Sequence, residues 1–327
     1  MDIETLEKKM RREEAKRARR EKRLLRKLLL PGLFLLMLAA ALFAFWWLPA
    51  KNREKASRLA GEPESWLARV TVLDTGQGLG ILIESGGEAM LIDGGGREVS
   101  SRTVATLKNK NITSLRYLLI SHYDADHLNG AIGALMAIGA EEVLGPDYEE
   151  DTALYRSLKK RLAEKERILR HPEVGEVLRL GSTGLTLLGP VVKSGEANNN
   201  SLVIRLEAGG YSMLAGGDAM EQEEASLCKR WGHRLKSDVY LIHHHGSYTS
   251  STEAFLKKVK PSCLLLSCGK DNEYGHPHAS VMKRLAGTGA SIWRTDKQGE
   301  IVFYFTEEGI FWQKPPCEDF SPGKAAS

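Results

Sequence analysis

Two hydrophobic rhythms divide the chain. The first is a block: Leu28 to Leu48, LLLPGLFLLMLAAALFAFWWL, holds 21 residues and no charge. As a helix it would measure about 30 Å, the thickness of a bilayer core. Pro31 would fall in the first turn, where its missing N–H costs least. Trp46 and Trp47 would fall at the far end, where indoles favour the headgroup region. The block predicts one transmembrane helix over 28–48. A cleaved signal peptide and a buried core helix are the rival readings. Against the signal peptide stand the long charged segment ahead of the block, its length, and the lack of a small-x-small cleavage site.

The second rhythm is a series of short apolar runs bounded by Gly, Asp or Ser: ARVTVLD, GILIES, AMLIDGG and RYLLISH, then LTLLGP, SLVIRLE, YSMLAGGD, DVYLIHHH, SCLLLSC, ASIWRTD and EIVFYF. Most are four to seven residues long and rich in β-branched or aromatic residues, which predicts strands. Helical patterns lie between them. Leu154, Leu158 and Leu162 make an i, i+4 stripe on a charged segment, a surface helix. Further helices are expected from about Gly130, Glu221, Thr252 and Ala279. Strands first, then mixed units, then strands again suit an α/β fold of two sheets with helices outside. The expected organisation is a tail over 1–27, the span over 28–48, a linker over 49–66, a folded domain over 67–306 and a loose, proline-bearing tail over 307–327.

Composition sharpens this outline. The chain has 327 residues, 42% hydrophobic and 27% charged, and a net charge of +4. Residues 1–27 hold 12 Lys/Arg and 6 Asp/Glu, and the remaining 300 hold 34 basic and 36 acidic residues. The positive charge therefore belongs to the tail, and the body is no globally basic nucleic-acid binder. Arg23, Arg26 and Lys27 precede the apolar block, while Lys51, Arg53 and Lys55 follow it. The bias orients the tail to the cytoplasm and the body outside the cell membrane, as a single-pass protein. The four cysteines have no metal-finger spacing, and Cys263 and Cys268 would face opposite sides of one strand, so free thiols are expected.

Polar residues gather where the apolar runs end. Ser121-His122-Tyr123-Asp124-Ala125-Asp126-His127 places four metal-capable side chains within six residues at a strand's carboxyl end. A turn there can aim alternate residues at two points, as a pair of ions about 3.5–4 Å apart requires. Capping a following helix would need one such residue, not four. Asp218 follows a Gly pair, His243-His244-His245-Gly246-Ser247 ends DVYLI, and His276-Pro277-His278 follows a further strand and turn. Seven of the nine histidines sit in these clusters, which favours one shared site.

Read in order, these motifs resemble the metallo-β-lactamase fold, and within it the extracytoplasmic hydrolase-like domain of ComEC-type competence proteins, which take up DNA. The resemblance runs from about Val70 to Phe305. LDTGQG (73–78), LIDGG (91–95), HYDADH (122–127), NNNSLV (198–203), GGDA (216–219), HHGSYTSS (244–251), YGHP (274–277) and RTD (294–296) followed by Gly299 match in order. The fold implied is an αββα sandwich. Two departures stand out. Leu79 replaces an acidic residue common after GQG, and one expected span replaces a many-helix channel.

Carried over position by position, the resemblance implies two divalent ions, zinc or manganese. The first would take His122 and Asp124, the second Asp126, His127 and His245, with Asp218 bridging. The Asn198–Asn200 segment stands where relatives supply another histidine. His244 would face the substrate, His276 would reach the substrate or leaving group, and Asp126, His244 and His276 form the implied catalytic set. Asn200 and Ser247 are expected substrate contacts. Two divalent ions, three carboxylates and a bridging hydroxide sum to zero charge, which admits a phosphodiester monoanion. Asp124, an oxygen donor in place of imidazole, favours manganese.

The expected function is thus a membrane-anchored, extracytoplasmic hydrolase, a phosphodiesterase or nuclease using a dinuclear-metal-activated hydroxide. DNA is one candidate substrate, although a body of net −2 gives duplex little phosphate neutralisation. The alternatives are a phosphorylcholine esterase, a lactamase-like hydrolase, or a non-catalytic anchored binding module.

Overall fold

The computed structural model describes residues 16–17, 58–59 and 61–324. The apolar block over 28–48 lies outside them. Among the described residues no helix is long and apolar enough to cross a membrane.

Each predicted apolar run forms a strand, and the strands sort into two sheets. The first holds β1 (Arg58–Leu59), β2 (Ala68–Val72), β3 (Gly80–Ser85), β4 (Glu88–Asp93), β5 (Leu115–Leu119), β6 (Ala140–Leu144) and β7 (Leu169–Arg170). The second holds β8 (Val177–Leu180), β9 (Thr183–Gly189), β10 (Val203–Ala208), β11 (Tyr211–Ala215), β12 (Val239–Leu241), β13 (Cys263–Leu266) and β14 (Ser291–Arg294). The chain then returns to the first sheet as β15 (Ile301–Phe305) and β16 (Ile310–Trp312), giving the spatial orders β1-β16-β15-β2-β3-β4-β5-β6-β7 and β14-β13-β12-β11-β10-β9-β8.

Strand alternation explains the layers. In β5, Tyr117 and Leu119 enter the core between the sheets, while Leu118 faces outward. In β13, Cys263 and Leu265 face inward and Leu264 and Leu266 outward. Sheets buried on both faces need cover. Helices α1 (Ser100–Asn109), α2 (Ala125–Ala137) and α3 (Ala153–Glu164) cover the first through Leu107, Leu128, Leu135 and Leu158. Helices α4 (Glu221–Trp231), α5 (Glu253–Val259) and α6 (Ala279–Ala286) cover the second through Leu227, Phe255 and Val281. The expected αββα sandwich is what forms. A short α7 (Thr295–Gln298) links β14 to β15. Helix α1 escaped the periodicity because its fully buried face is only Thr103 and Leu107.

All four cysteines are free, and Cys263 and Cys268 lie in different core layers, as strand alternation requires. The segment after residue 306 is not loose. Trp312 is 1% exposed, stacked on Trp293 at 3.7 Å. Beyond it, the Cys317 N–H bonds Ile292 O at 2.9 Å and the Gly323 N–H bonds Pro277 O at 2.8 Å. The buried Arg294 guanidinium holds the carbonyls of Asp319 and Ser321 at 2.9 and 2.6 Å. The prolines stop further strand pairing, but backbone donors still find partners across the outer layer. The expected linker likewise contributes β1, which pairs in parallel with β16.

Strands β4, β5 and β6 run parallel, as do β11, β12, β13 and β14. Their carboxyl ends carry Asp93, His122, Asp218 and His243–His245 to one edge of the sandwich.

Candidate metal centre

Helix α2 begins at Ala125, five residues before the expected start, so Asp126 and His127 ride its first turn. Asp124 is the residue before the helix, extended at φ −69° and ψ 153°, and makes no side-chain capping bond. Its carboxylate is free for another use. Close backbone contact pins this turn: Gly130 N–H bonds Gly95 O at 2.9 Å and Gly94 N–H bonds His127 O at 3.0 Å. A Cβ on Gly130 would lie 1.7 Å from Gly94 O.

After β12, His244 and His245 both adopt left-handed backbone at φ 52° and 53°. Two adjacent non-glycine residues there are costly and mark a functional turn. An extended strand would send them to opposite faces. The kink instead brings both rings to the site and leaves His243 behind, its Nδ1 3.1 Å from the buried Glu224.

Four ligand atoms form one cage. His127 Nε2 lies 3.2 Å from His245 Nε2, 3.3 Å from Asp218 Oδ1 and 3.7 Å from Asp126 Oδ2. His245 Nε2 lies 3.3 Å from Asp126 Oδ2 and 3.4 Å from Asp218 Oδ1. A tetrahedron with arms of about 2.0–2.1 Å has edges of about 3.3–3.4 Å. The His127–His245 pair with Asp218 Oδ1, and the same pair with Asp126 Oδ2, thus each make a triangular face of about the size a divalent ion needs.

The other Asp218 oxygen faces a second, looser group. Oδ2 lies 3.9 Å from His122 Nε2 and 3.6 Å from His244 Nε2, and His122 Nε2 lies 3.6 Å from Asp124 Oδ2. The residues expected at the first position converge, and His244 joins them. His244, expected to face the substrate, stands in the ring around Asp218 Oδ2. Buried His122 Nε2 and Asp218 Oδ1 have no hydrogen-bond partner, as ligand atoms aimed at a cation would not.

Behind the cage, each ring's other nitrogen is held. His127 Nδ1 meets Asp93 Oδ2 at 2.8 Å, His245 Nδ1 meets Ser267 O at 2.9 Å, His244 Nδ1 meets Thr249 Oγ1 at 3.1 Å and His122 Nδ1 meets Ser121 Oγ at 3.0 Å. Such outer partners fix ring orientation and strengthen the ligand. Burial would raise the Asp218 carboxyl, but the charges of His245 and His127 hold it well below the carboxylate range. Burial would lower His245, yet the charge of Asp218 and the Asp126 hydrogen bond push it up to about 10.

The two expected substrate contacts are buried and engaged within their own loops. Asn200 spends its amide inside its own loop, accepting from Ser194 N at 2.8 Å and donating to Ser194 O and Glu196 O at 2.9 and 3.2 Å. Ser247 is 4% exposed and its hydroxyl accepts from Thr249 Oγ1 at 3.0 Å. Asn198 is the member of the triple that reaches the site, 3.4 Å from His244 Nε2. His276 flanks the cage, with ring centroids 5.7 Å from His244 and 6.2 Å from His245. Leu79 packs into the central core, and its N–H bonds Asp126 O at 3.3 Å.

A model of the metallo-beta-lactamase superfamily matches residues 73–270, well over half of the chain and all of the first cage. The chain belongs to that superfamily. Similar curated proteins are competence proteins of the ComEC type. "Competence protein ComA" of Neisseria gonorrhoeae is 31% identical over 262 residues, covering 77% of this chain and 36% of the relative. "ComE operon protein 3" of Bacillus subtilis (strain 168) is 29% identical over 218 residues, covering 65% and 27%. The chain spans about a third of the length of the curated relatives it matches. Among solved structures, CmlA, a diiron beta-hydroxylase from Streptomyces venezuelae, superposes with a TM-score of 0.51 at 15% identity, covering 75% of this chain and 55% of CmlA. That likeness is one of fold. Divalent-metal binding follows from the superfamily and from the His/Asp clusters of this chain.

Proposed function

We propose that this metallo-beta-lactamase superfamily protein is a membrane-anchored, extracytoplasmic phosphodiesterase of the nuclease type. One observation carries the reading: the Asp218 carboxylate divides its oxygens between two ligand groups, Oδ1 toward His127 and His245, Oδ2 toward His122 and His244. Asp126, His127, His245 and Asp218 would hold one ion; His122, Asp124, His244 and Asp218 would hold the other. Manganese or zinc there would polarise a phosphoryl oxygen and make water nucleophilic at neutral pH. Three carboxylates leave a small positive excess over two divalent ions, suited to a diester monoanion. The apolar block over 28–48 and its basic flank support the anchor.

His276 serves as a neutral hydrogen-bond donor. Burial, then the charges of His245 and His244, push its pKa down to about 3. Gln77 Oε1 takes the Gly269 N–H at 3.2 Å, so Gln77 Nε2 faces His276 Nδ1 at 3.3 Å. Nδ1 accepts, the ring proton sits on Nε2, and that N–H is left to hold a substrate or leaving-group oxygen.

The test is the full chain in detergent, loaded with manganese or zinc and offered nucleic acids, small diesters, phosphorylcholine and a β-lactam. Metal-dependent diester cleavage, lost in Asp126→Ala, supports the reading. Cleavage of phosphorylcholine or the lactam with no diester hydrolysis overturns it.

A further inference from the structure

Three near-parallel rings climb out of the metal centre. His245, 4% exposed, faces His276 at 6.2 Å and 26°; His276, 6% exposed, faces Tyr274 at 5.6 Å and 21°. Tyr274 is 56% exposed, so the ladder ends in an aromatic open to solvent. A second exposed aromatic flanks it. Tyr248, 66% exposed, lies 5.1 Å from His278, whose ring is 4.8 Å from His276. His278 Nδ1 accepts the Tyr248 N–H at 3.0 Å, which fixes that loop beside the ladder. Tyr274 also lies within the field of the cage: after burial and Glu273, the charges of Asp126 and Asp124 raise its phenol.

Tyr248 and Tyr274 are the two aromatics among the exposed large hydrophobic side chains of the described residues. These two belong to different loops, and ring contacts link both to His276, Tyr274 directly and Tyr248 through His278. Neither is engaged in the ligand set or the core. An open aromatic face beside a phosphodiester site suits a planar base, and stacking tolerates any base because each has a π-face.

We infer that Tyr274 and Tyr248 form a stacking rim that selects diesters flanked by unpaired bases, making single-stranded nucleic acid the preferred substrate; this rests on the phosphodiesterase reading above. A base held in a duplex cannot offer its face to the rim, and the slightly acidic body gives duplex little phosphate neutralisation.

The experiment compares a single-stranded oligodeoxynucleotide with an abasic strand of equal length, using the metal-loaded full chain. The ratio of kcat/KM for the base-bearing strand over the abasic strand is expected to fall about tenfold in Tyr274→Leu and Tyr248→Leu, since stacking contributes about 1–3 kcal/mol per base. Tyr274→Phe and Tyr248→Phe keep the ring and the ratio. A ratio unchanged by the leucine variants, or lost equally in the phenylalanine variants, overturns the rim. Should neither strand be cleaved, the phosphodiesterase reading fails, and fluorescence anisotropy of the two labelled strands still decides the rim. The same Leu-versus-Phe ordering in Kd supports it, and its absence overturns it.

Discussion

Asp93 and His127 meet at 2.8 Å, carboxylate Oδ2 to imidazole Nδ1, and neither side chain is exposed to solvent. The same carboxylate takes the Ser121 N–H at 2.7 Å and the Ser121 hydroxyl at 2.6 Å. It therefore locks the end of β4, the end of β5 and a cage ligand together. Asp93 itself stands at φ 54°, a conformation asparagine also tolerates. Asp93→Asn should keep the fold while turning an amide donor toward a donor. Manganese or zinc affinity is expected to fall about 10–100-fold, measured by competition with a fluorescent chelator. Unchanged affinity would remove the positioning role.

The division of Asp218 predicts an ordered loss of metal. Asp124→Ala should weaken the looser position, Asp126→Ala the tighter one, and Asp218→Ala both. Elemental analysis of dialysed protein should rank Asp218→Ala lowest in bound metal per chain. Equal stoichiometry in all three variants would contradict a shared carboxylate.

The contact between Gly130 and Gly94 leaves no room for a methyl group, since an added Cβ would lie 1.7 Å from the Gly94 carbonyl oxygen. Gly130→Ala should push α2 from the sheet edge, costing about 1–3 kcal/mol. Denaturant melts report the stability. Metal titration should show a coupled loss, because Asp126 and His127 sit one turn upstream.

Away from the cage, Glu223 is 1% exposed at the start of α4 and accepts the Val191 N–H at 2.8 Å. Burial, opposed by the backbone donors of Val191 and Val192, pushes its carboxyl from 4.5 up to about 8. A raised acid contributes stability that is full below pH 4.5 and lost as pH rises toward 8. Glu223→Gln removes this proton linkage. Its Tm should match the parent near pH 5 and exceed it at pH 8, read by thermal melts across that range. A parent Tm that climbs over the same interval would count against the assignment.

Much of this was written in the local pattern. Each predicted apolar run became a strand because sheets covered on both faces need unbroken hydrophobic stretches. His122, Asp124, Asp126 and His127 were legible because four ligand-capable residues crowd one strand end. What pattern could not supply was partnership at a distance. Asp93 lies 34 residues before His127, and only its place after an apolar run hinted at use. Glu224 lies in EQEEASL, which looks like a solvated helix start, yet its carboxylate is buried against His243, Ser251 and Thr252. The place of His244 depended on two consecutive left-handed residues that no glycine announces. Asn200 carried the motif, but its neighbour Asn198 reaches the site. Tyr248 and Tyr274 gain meaning only from the rings beside them.

The run from Lys314 to Gly323 threads past β14 and finishes against the backbone of the His276 loop, where a methyl on Gly323 would collide with the His276 carbonyl. Arg294 grips that run from below through two carbonyl oxygens. The final stretch thus acts as a wedge under the loop that carries His276 and Tyr274. Trimming it back to residue 312 would unseat the rim and the donor together, and would strip Trp293 and Arg294 of β14 of their carbonyl partners. A purification handle for any of these experiments therefore belongs at the other end of the chain.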